Sequence, residues 1–319
     1  NNVVFTPEEA LSAYLEEASF FNVLGCTDSQ AINYDDTANI DDGSCEYEVD
    51  ASEHCVDTDT KALWHMNGNV GSNDKEADET GSFNLTENHS PNAATGFDGE
   101  SNGAYLLNGD NQYLSIEGDP LADLNGVFTI ECWILLNSIK TQSIISKFNN
   151  NSGYRWEFGS AGQDVVIMWR NGDGASGTTE FRANDIMDPE DIGKWVYLAV
   201  VADVSTPDAT IYKNGDPQSM STSYSYATSI GSNDKLLNIG ATNGPHEYLD
   251  GIIDEVTLSS QYKSAEEIEN YYNGNDSSCL SGCTDPEAHN YDETATIDDG
   301  SCAGYPDNGD YSLYFDNSG

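Results

Sequence analysis

Aspartate and asparagine crowd two short stretches of this chain, each shut by a pair of cysteines. Between Cys26 and Cys45 stand Asp28, Asn33, Asp35, Asp41 and Asp42. Between Cys283 and Cys302 stand Asp285, Asn290, Asp292, Asp298 and Asp299. Carboxylate and amide oxygens on glycine-containing turns suit calcium, which takes about six to eight oxygen ligands. A cysteine-closed loop can present them with almost no core of its own, the crosslink contributing roughly 3 kcal/mol in the chain-entropy model. The other reading is that these side chains close Asx-turns and cap backbone amides. The spacing is not that of an EF-hand loop.

The two stretches are copies of one another. Gly25 to Cys45 and Gly282 to Cys302 agree at 16 of 21 positions, at a constant offset of 257 residues. A cassette that recurs after a whole domain marks a tandem array. The flanks repeat as well. Thr6 with Glu9, and Ser264 with Glu267, each read as a hydroxyl N-cap with Glu three residues on, a capping box that opens a short helix. The expected organisation is therefore the last helix of a preceding repeat at 1–24 and a cassette at 25–47. A domain with its own C-terminal helix follows at 48–281, then a second cassette at 282–303 and the start of a following domain at 304–319.

Composition narrows the partners. The net charge is −45, from 56 acids against 11 bases. Nucleic acid and anionic membrane surfaces are poor partners for such a chain, because phosphate binding needs clustered Lys and Arg. No apolar run approaches the roughly 18 residues of a membrane span, so no membrane insertion is expected. Repulsion on this scale favours bound divalent cations or high ionic strength.

Paired cysteines at a repeated spacing, in an acidic chain rich in Asn and Gly, argue for an oxidising, extracellular setting. The expected bridges are Cys26–Cys45, Cys283–Cys302 and, if the domain ends meet, Cys55–Cys279. CxxC spacing is absent, which argues against zinc. Cys132 shares a strand face with Phe128, Ile130 and Ile134 and is expected to be a buried free thiol.

Between Lys61 and Ser260 the chain reads as short strands with turn punctuation. Ala104–Leu107 and Tyr113–Ile116 flank Asn-Gly-Asp-Asn, a hairpin signal. Val127–Leu136 alternates, Trp195–Val201 is nearly all apolar, and Asn214-Gly215 follows Ile211-Tyr212-Lys213 as a second hairpin turn. About a dozen strands with little helical periodicity predict an all-β, antiparallel sandwich of two sheets.

Phe128 to Ile134 (FTIECWI), Ile144 to Phe148, Lys194 to Asp203 with IYKNG, and the closing Gly251–Val256 followed by a capped helix resemble laminin-G-like domains. These are concanavalin-A-like jelly rolls, and the resemblance covers roughly Thr58 to Tyr272. The cassette resembles the GCTD…NYD…DDGSC repeats of large secreted bacterial surface proteins. The first resemblance implies one calcium near an early Asp-x-x-Gly turn and the closing Ile-Asp-Glu, here Asp78 and Asp254. Asp254 could equally anchor backbone amides.

Catalytic signals are missing. There is no His-Glu-x-x-His and no Gly-x-Ser-x-Gly elbow. The acidic triplet of jelly-roll glycosidases is not found on any strand. Tyr154, Trp156 and Phe158 share one strand face, with Trp169 on the next strand. Exposed, Trp156 and Trp169 could stack on sugar rings; buried, they fill the sandwich. The expected protein is a non-catalytic, calcium-stabilised structural or adhesive repeat of an extracellular surface or filament protein. Its partners would be neighbouring repeats and surface glycans. The alternative is a calcium-dependent carbohydrate-binding module of a secreted polysaccharide-degrading enzyme.

Overall fold

The computed structural model describes residues 23–25, 37–41, 54–67, 79–121, 126–159, 162–244, 246–274, 281–292, 295, 297–298 and 301–303. Asp28, Asn33, Asp35, Asp42, Asp78, Asp299, Cys26, Cys45 and Cys279 lie outside them, as do residues 1–22 and 304–319. The chain divides into two units, Asn1–Ala51 with Ser277–Gly319, and Ser52–Asp276.

In the first unit β1 (Leu24–Gly25) pairs in parallel with β2 (Ile40–Asp41). The second cassette forms the same pair, β19 (Ser281–Gly282) with β20 (Ile297–Asp298), in the same register and at the same 257-residue offset.

The second unit is a sandwich of two eight-stranded antiparallel sheets. Its strands begin with β3 (Thr60–Trp64), β4 (Thr86–Asn88), β5 (Asn92–Ala94), β6 (Ala104–Asn108) and β7 (Tyr113–Ile116). The long central strands are β8 (Val127–Leu136), β9 (Gln142–Phe148), β10 (Ser152–Phe158), β11 (Val165–Asn171), β12 (Thr178–Ala183) and β13 (Trp195–Asp203). The series closes with β14 (Asp208–Lys213), β15 (Asp216–Pro217), β16 (Met220–Ser225), β17 (Leu237–Ile239) and β18 (Asp250–Ser259). One sheet runs β16-β12-β11-β10-β9-β17-β7-β4; the other runs β15-β14-β13-β8-β18-β6-β5, with β3 also on β18. This is the jelly-roll sandwich that the sequence predicts.

Alternation builds the core. Tyr154, Trp156 and Phe158 of β10 and Val165, Ile167 and Trp169 of β11 all point inward and are fully buried. Buried indole N–H groups find acceptors where they can, as Trp169 Nε1 does at the Ala227 carbonyl, 2.8 Å away. Cys132 is a free thiol in the same core, and burial raises its pKa.

Two local expectations meet different fates. Asn214-Gly215 is a hairpin turn: both residues have positive φ, and Lys213 pairs with Asp216. Asn108-Gly109-Asp110-Asn111 is not. β6 and β7 belong to different sheets, so this turn carries the chain across the sandwich. Asn108 Oδ1 accepts the backbone N–H groups of Asp110, Asn111 and Gln112 and holds the corner.

Trp195–Val201 is apolar because β13 is buried on both faces, but only one face meets the opposite sheet. Val196, Leu198 and Val200 enter the central core. Tyr197, Ala199 and Val201 lie under helix α1 (Ala265–Tyr272), against Ile268 and Tyr271. Ser264 caps α1, and Glu267 returns the bond to complete the capping box.

Candidate functional site

The strand registers assign residues to the face of the β9–β12 sheet that looks away from the core. Phe148, Ser146 and Ser143 of β9 sit opposite Gly153, Arg155 and Glu157 of β10. Arg155 and Glu157 lie beside Met168 and Val166 of β11, which lie beside Glu180 and Arg182 of β12. Gly153 lies beside Arg170. All of the chain's arginines, Arg155, Arg170 and Arg182, therefore share one face of one sheet.

A cavity of about 250 Å³ opens on this face. Ser146, Phe148 and Arg155 form its strand side. Asn149 and Asn150, from the turn between β9 and β10, and Lys235, ahead of β17, form part of the rim. Thr242, Asn243 and His246, from the segment after β17, complete it.

Each wall is fixed by named bonds. Asn149 Oδ1 accepts the N–H groups of Asn151 and Ser152, at 2.8 and 2.7 Å, which locks the turn. Gly153, at φ +99°, lets the chain leave that turn; a Cβ there would lie 1.9 Å from the Lys147 carbonyl oxygen. Asn243 Oδ1 accepts Phe148 N–H at 2.6 Å and Ser146 Oγ at 3.1 Å, while its amide donates to the Leu236 carbonyl. The Thr242 hydroxyl donates to the His246 carbonyl, so it must accept from His246 Nδ1, 2.8 Å away. The Gly244 carbonyl beside Nδ1 demands the same tautomer, which leaves Nε2 as the acceptor of the neutral ring.

The guanidinium groups are held by an aromatic ring. Arg155 lies 5.1 Å and Arg170 5.2 Å from the Phe148 centroid. Arg155 Nη2 also meets Glu157 Oε1 at 3.1 Å, and Arg170 Nη1 donates to the Asn150 carbonyl. Arg155 Nε is buried with no hydrogen-bond partner among the described residues. Glu157 lies beneath, its pKa pushed up to about 7, first by burial and then by Glu247 and Glu180, against Arg155 and Arg182. Among the described residues the cavity lining carries cations, amides and hydroxyls and no carboxylate. It can bind a polyhydroxylated or anionic molecule, and it lacks the acid pair that glycoside hydrolysis uses.

The residues singled out in the sequence go elsewhere. Trp156 and Trp169 are fully buried in the core, so of the two readings open in the sequence they fill the sandwich, and the glycan-stacking reading is corrected: the inner face claims both. Asp254 is buried, and β18 bulges beside it, with Glu255 at φ +47°. Its carboxylate accepts the N–H groups of Phe97, at 3.0 Å, and Glu255, at 2.8 Å, which is the anchoring role. Burial first, then Glu255 and Asp98, push its pKa up to about 8 against those two bonds. Among the described residues no group of three or more His, Cys, Asp or Glu is placed to hold a metal ion.

In the second cassette Cys283 and Cys302 are bonded, with Cα atoms 4.7 Å apart. Asp285 Oδ1 accepts the Glu287 N–H at 2.9 Å, an Asx-turn. Asn290 donates to the Ser301 carbonyl and accepts the Ala303 N–H, tying the loop to its closing cysteine. The N–H of Asp292 donates to the Cys283 carbonyl. Asp41 and Asp298 take equivalent strand positions in the two copies. Cys55 is disulfide-bonded; Cys279, its expected partner, lies outside the described residues.

Residues 108–269 match the Laminin_G_3 family, described as the concanavalin A-like lectin/glucanases superfamily. No curated protein matches the chain. Among solved structures the fold is similar to the receptor-binding domain of botulinum neurotoxin C/D mosaic serotype, with a TM-score of 0.52, 12% identity and coverage of 69% of this chain and 52% of that one. It is also similar to the binding domain of botulinum neurotoxin DC in complex with rat synaptotagmin II, with a TM-score of 0.52, 12% identity and coverage of 74% and 56%. The same domain in complex with SialylT gives a TM-score of 0.50, 13% identity and coverage of 74% and 55%. The chain thus spans about half the length of those structures.

Proposed function

The chain belongs to the Laminin_G_3 family of the concanavalin A-like lectin/glucanases superfamily, and from that premise we propose that it is a non-catalytic adhesive repeat of a larger extracellular protein. The observation that carries this reading is the repeated cassette. Leu24–Gly25 with Ile40–Asp41, and Ser281–Gly282 with Ile297–Asp298, form the same parallel pair one 257-residue period apart. A unit that recurs in sequence and in pairing, with a binding-type sandwich between the copies, suits a link in an array whose neighbours are further copies.

Calcium is part of the proposal. The cassette acids would supply oxygen ligands, and the ion would offset repulsion in a chain of net charge −45. An ion that binds only the folded form adds about 2.7 kcal/mol at a hundredfold excess over Kd. Chelation should therefore lower the melting temperature, and calcium should restore it where sodium chloride does not. Differential scanning calorimetry of the chain with chelator, with calcium and with matched sodium chloride checks this. Full recovery in sodium chloride alone would show that the acids are only a solvated surface.

A second reading, glycan binding by the sandwich, is favoured by the cavity over Ser146, Phe148 and Arg155, whose lining of amides, hydroxyls and cations matches the hydroxyl groups of a saccharide. The neurotoxin binding domain solved with SialylT adds only the precedent of a similar fold.

A further inference from the structure

The chain holds 56 acids, yet among the described residues none lines this cavity, and Arg155, Lys235 and His246 do. Resting on the glycan-binding reading, we propose that the cavity selects an anionic saccharide, one bearing a carboxylate or a sulfate, through Arg155 and Lys235.

Three observations carry the choice of charge. First, the arginines are concentrated here although the chain is poor in bases. Arg155 and Arg170 flank the Phe148 ring, a contact that restrains the guanidinium planes before any ligand arrives. Second, Arg182 is already paired, with Asp164 at 2.8 Å and Glu180 at 3.1 Å, and Arg155 Nη2 is paired with Glu157. That leaves the part-exposed remainder of the Arg155 guanidinium, which lines the cavity, and the exposed Lys235, which makes no ion pair among the described residues. Third, the groups around them recognise hydroxyls: Asn149, Asn150 and the His246 Nε2 lone pair on the rim, and Thr242 behind it. A cation beside neutral hydrogen-bonding groups fits a charged sugar better than a bare ion or an uncharged sugar.

The test is isothermal titration calorimetry of the full chain at about 0.15 M salt, where the distant acids are screened over roughly 8 Å. The probes are a galacturonic acid trimer, the same trimer as its uncharged methyl ester, a sulfated galactose disaccharide and inorganic sulfate. At least one charged sugar should bind about tenfold or more tightly than the ester, and more tightly than inorganic sulfate. Lys235→Glu should weaken that sugar about tenfold or more, and Lys194→Glu, an equal charge change at an exposed site outside the cavity, should not. If no sugar binds, the glycan reading and the proposal fall together. If the ester binds as tightly as the acid, the glycan reading stands and the preference for charge is overturned. Equal binding of inorganic sulfate overturns the saccharide, and equal losses in the two lysine variants overturn the placement in this cavity.

Discussion

The two outer faces of the sandwich treat charge differently. On the β8–β13–β18 sheet, helix α1 lies over the face, and the acids there are sealed in. Glu131 is fully buried and meets Lys263 Nζ and Tyr197 Oη, both at 2.5 Å. Glu255 is buried beside it and meets His65 Nδ1 at 2.6 Å and His54 N–H at 2.9 Å. His54 in turn stacks on Tyr271 of α1 at 3.7 Å. On the β9–β12 sheet no helix among the described residues lies across the face; Glu157 and Glu180 are buried there too, beside Arg155 and Arg182, but Arg155 and Lys235 also line a cavity. A chain this acidic can keep carboxylates from water only by giving each a specific partner. The covered face therefore serves stability, and the more open face, with its cavity, is the one proposed to bind.

The largest way to break this contrast is Glu131→Ala. It strips the acceptor from Tyr197 and leaves Lys263 without its carboxylate under the helix. Loss of one member of a buried pair costs about 3–5 kcal/mol. Chemical denaturation should show a midpoint lowered to match, and a loss below about 1 kcal/mol would mean that water enters under α1 and the face is not sealed.

The second prediction concerns pH. Asp254 titrates at about 8 in the fold against an ordinary value of 3.8, and Glu157 at about 7 against 4.5. Both shifts favour the neutral acid, so between the ordinary and the folded values the native state binds more protons than the unfolded chain. Stability is then greatest at low pH and falls as pH rises, by up to about 1.4 kcal/mol per unit for each fully coupled proton. The loss from Glu157 should level off above about pH 7, and that from Asp254 above about pH 8. Asp254→Asn should flatten the whole falling range up to about pH 8, and Glu157→Gln only the part below about pH 7, read from denaturation midpoints between pH 5 and 9. Unaltered slopes in both variants would mean that neither carboxyl takes up a proton on folding.

How much of this was legible in the sequence depended on how local the deciding physics was. The cap at Ser264 and Glu267 is settled within four residues and was readable. So was the Asn214-Gly215 hairpin, where the left-handed turn and the strand pairing coincide. Asn108 to Asn111 carries equally strong turn chemistry. There the pairing is set by β18 on one side and β17 on the other, and both lie more than a hundred residues away. Alternation showed that Trp156 and Trp169 could share a face but not which face was the core. It also placed Arg155 between Tyr154 and Trp156, a sign that Arg155 points the other way once the aromatics are taken as core. The cavity needed β17 to come between β9 and β7 and bring Lys235, Thr242 and His246 with it. No window of sequence shows that.

The smallest expected effect sharpens the comparison by pitting one lysine against another. Lys263 and Lys235 carry the same charge on opposite faces. Lys263 Nζ is bound to a carboxylate with no exposure, so Lys263→Gln removes a charge-assisted bond and leaves Glu131 desolvated. That should cost about 3–5 kcal/mol, as for Glu131→Ala, because a buried charge is left uncompensated. The side chain of Lys235 is exposed, and its structural duty falls to its backbone: its carbonyl accepts from Lys147 Nζ, whatever the side chain. Lys235→Glu should therefore stay within about 0.5 kcal/mol of the parent, the usual range for a surface substitution away from a buried network. Thermal unfolding of the two variants side by side measures the difference. If Lys235→Glu cost as much as Lys263→Gln, Lys235 would be holding the sheet together, and the open face would serve stability no less than the covered one. A small cost for Lys235→Glu would show that this side chain takes no part in holding the fold.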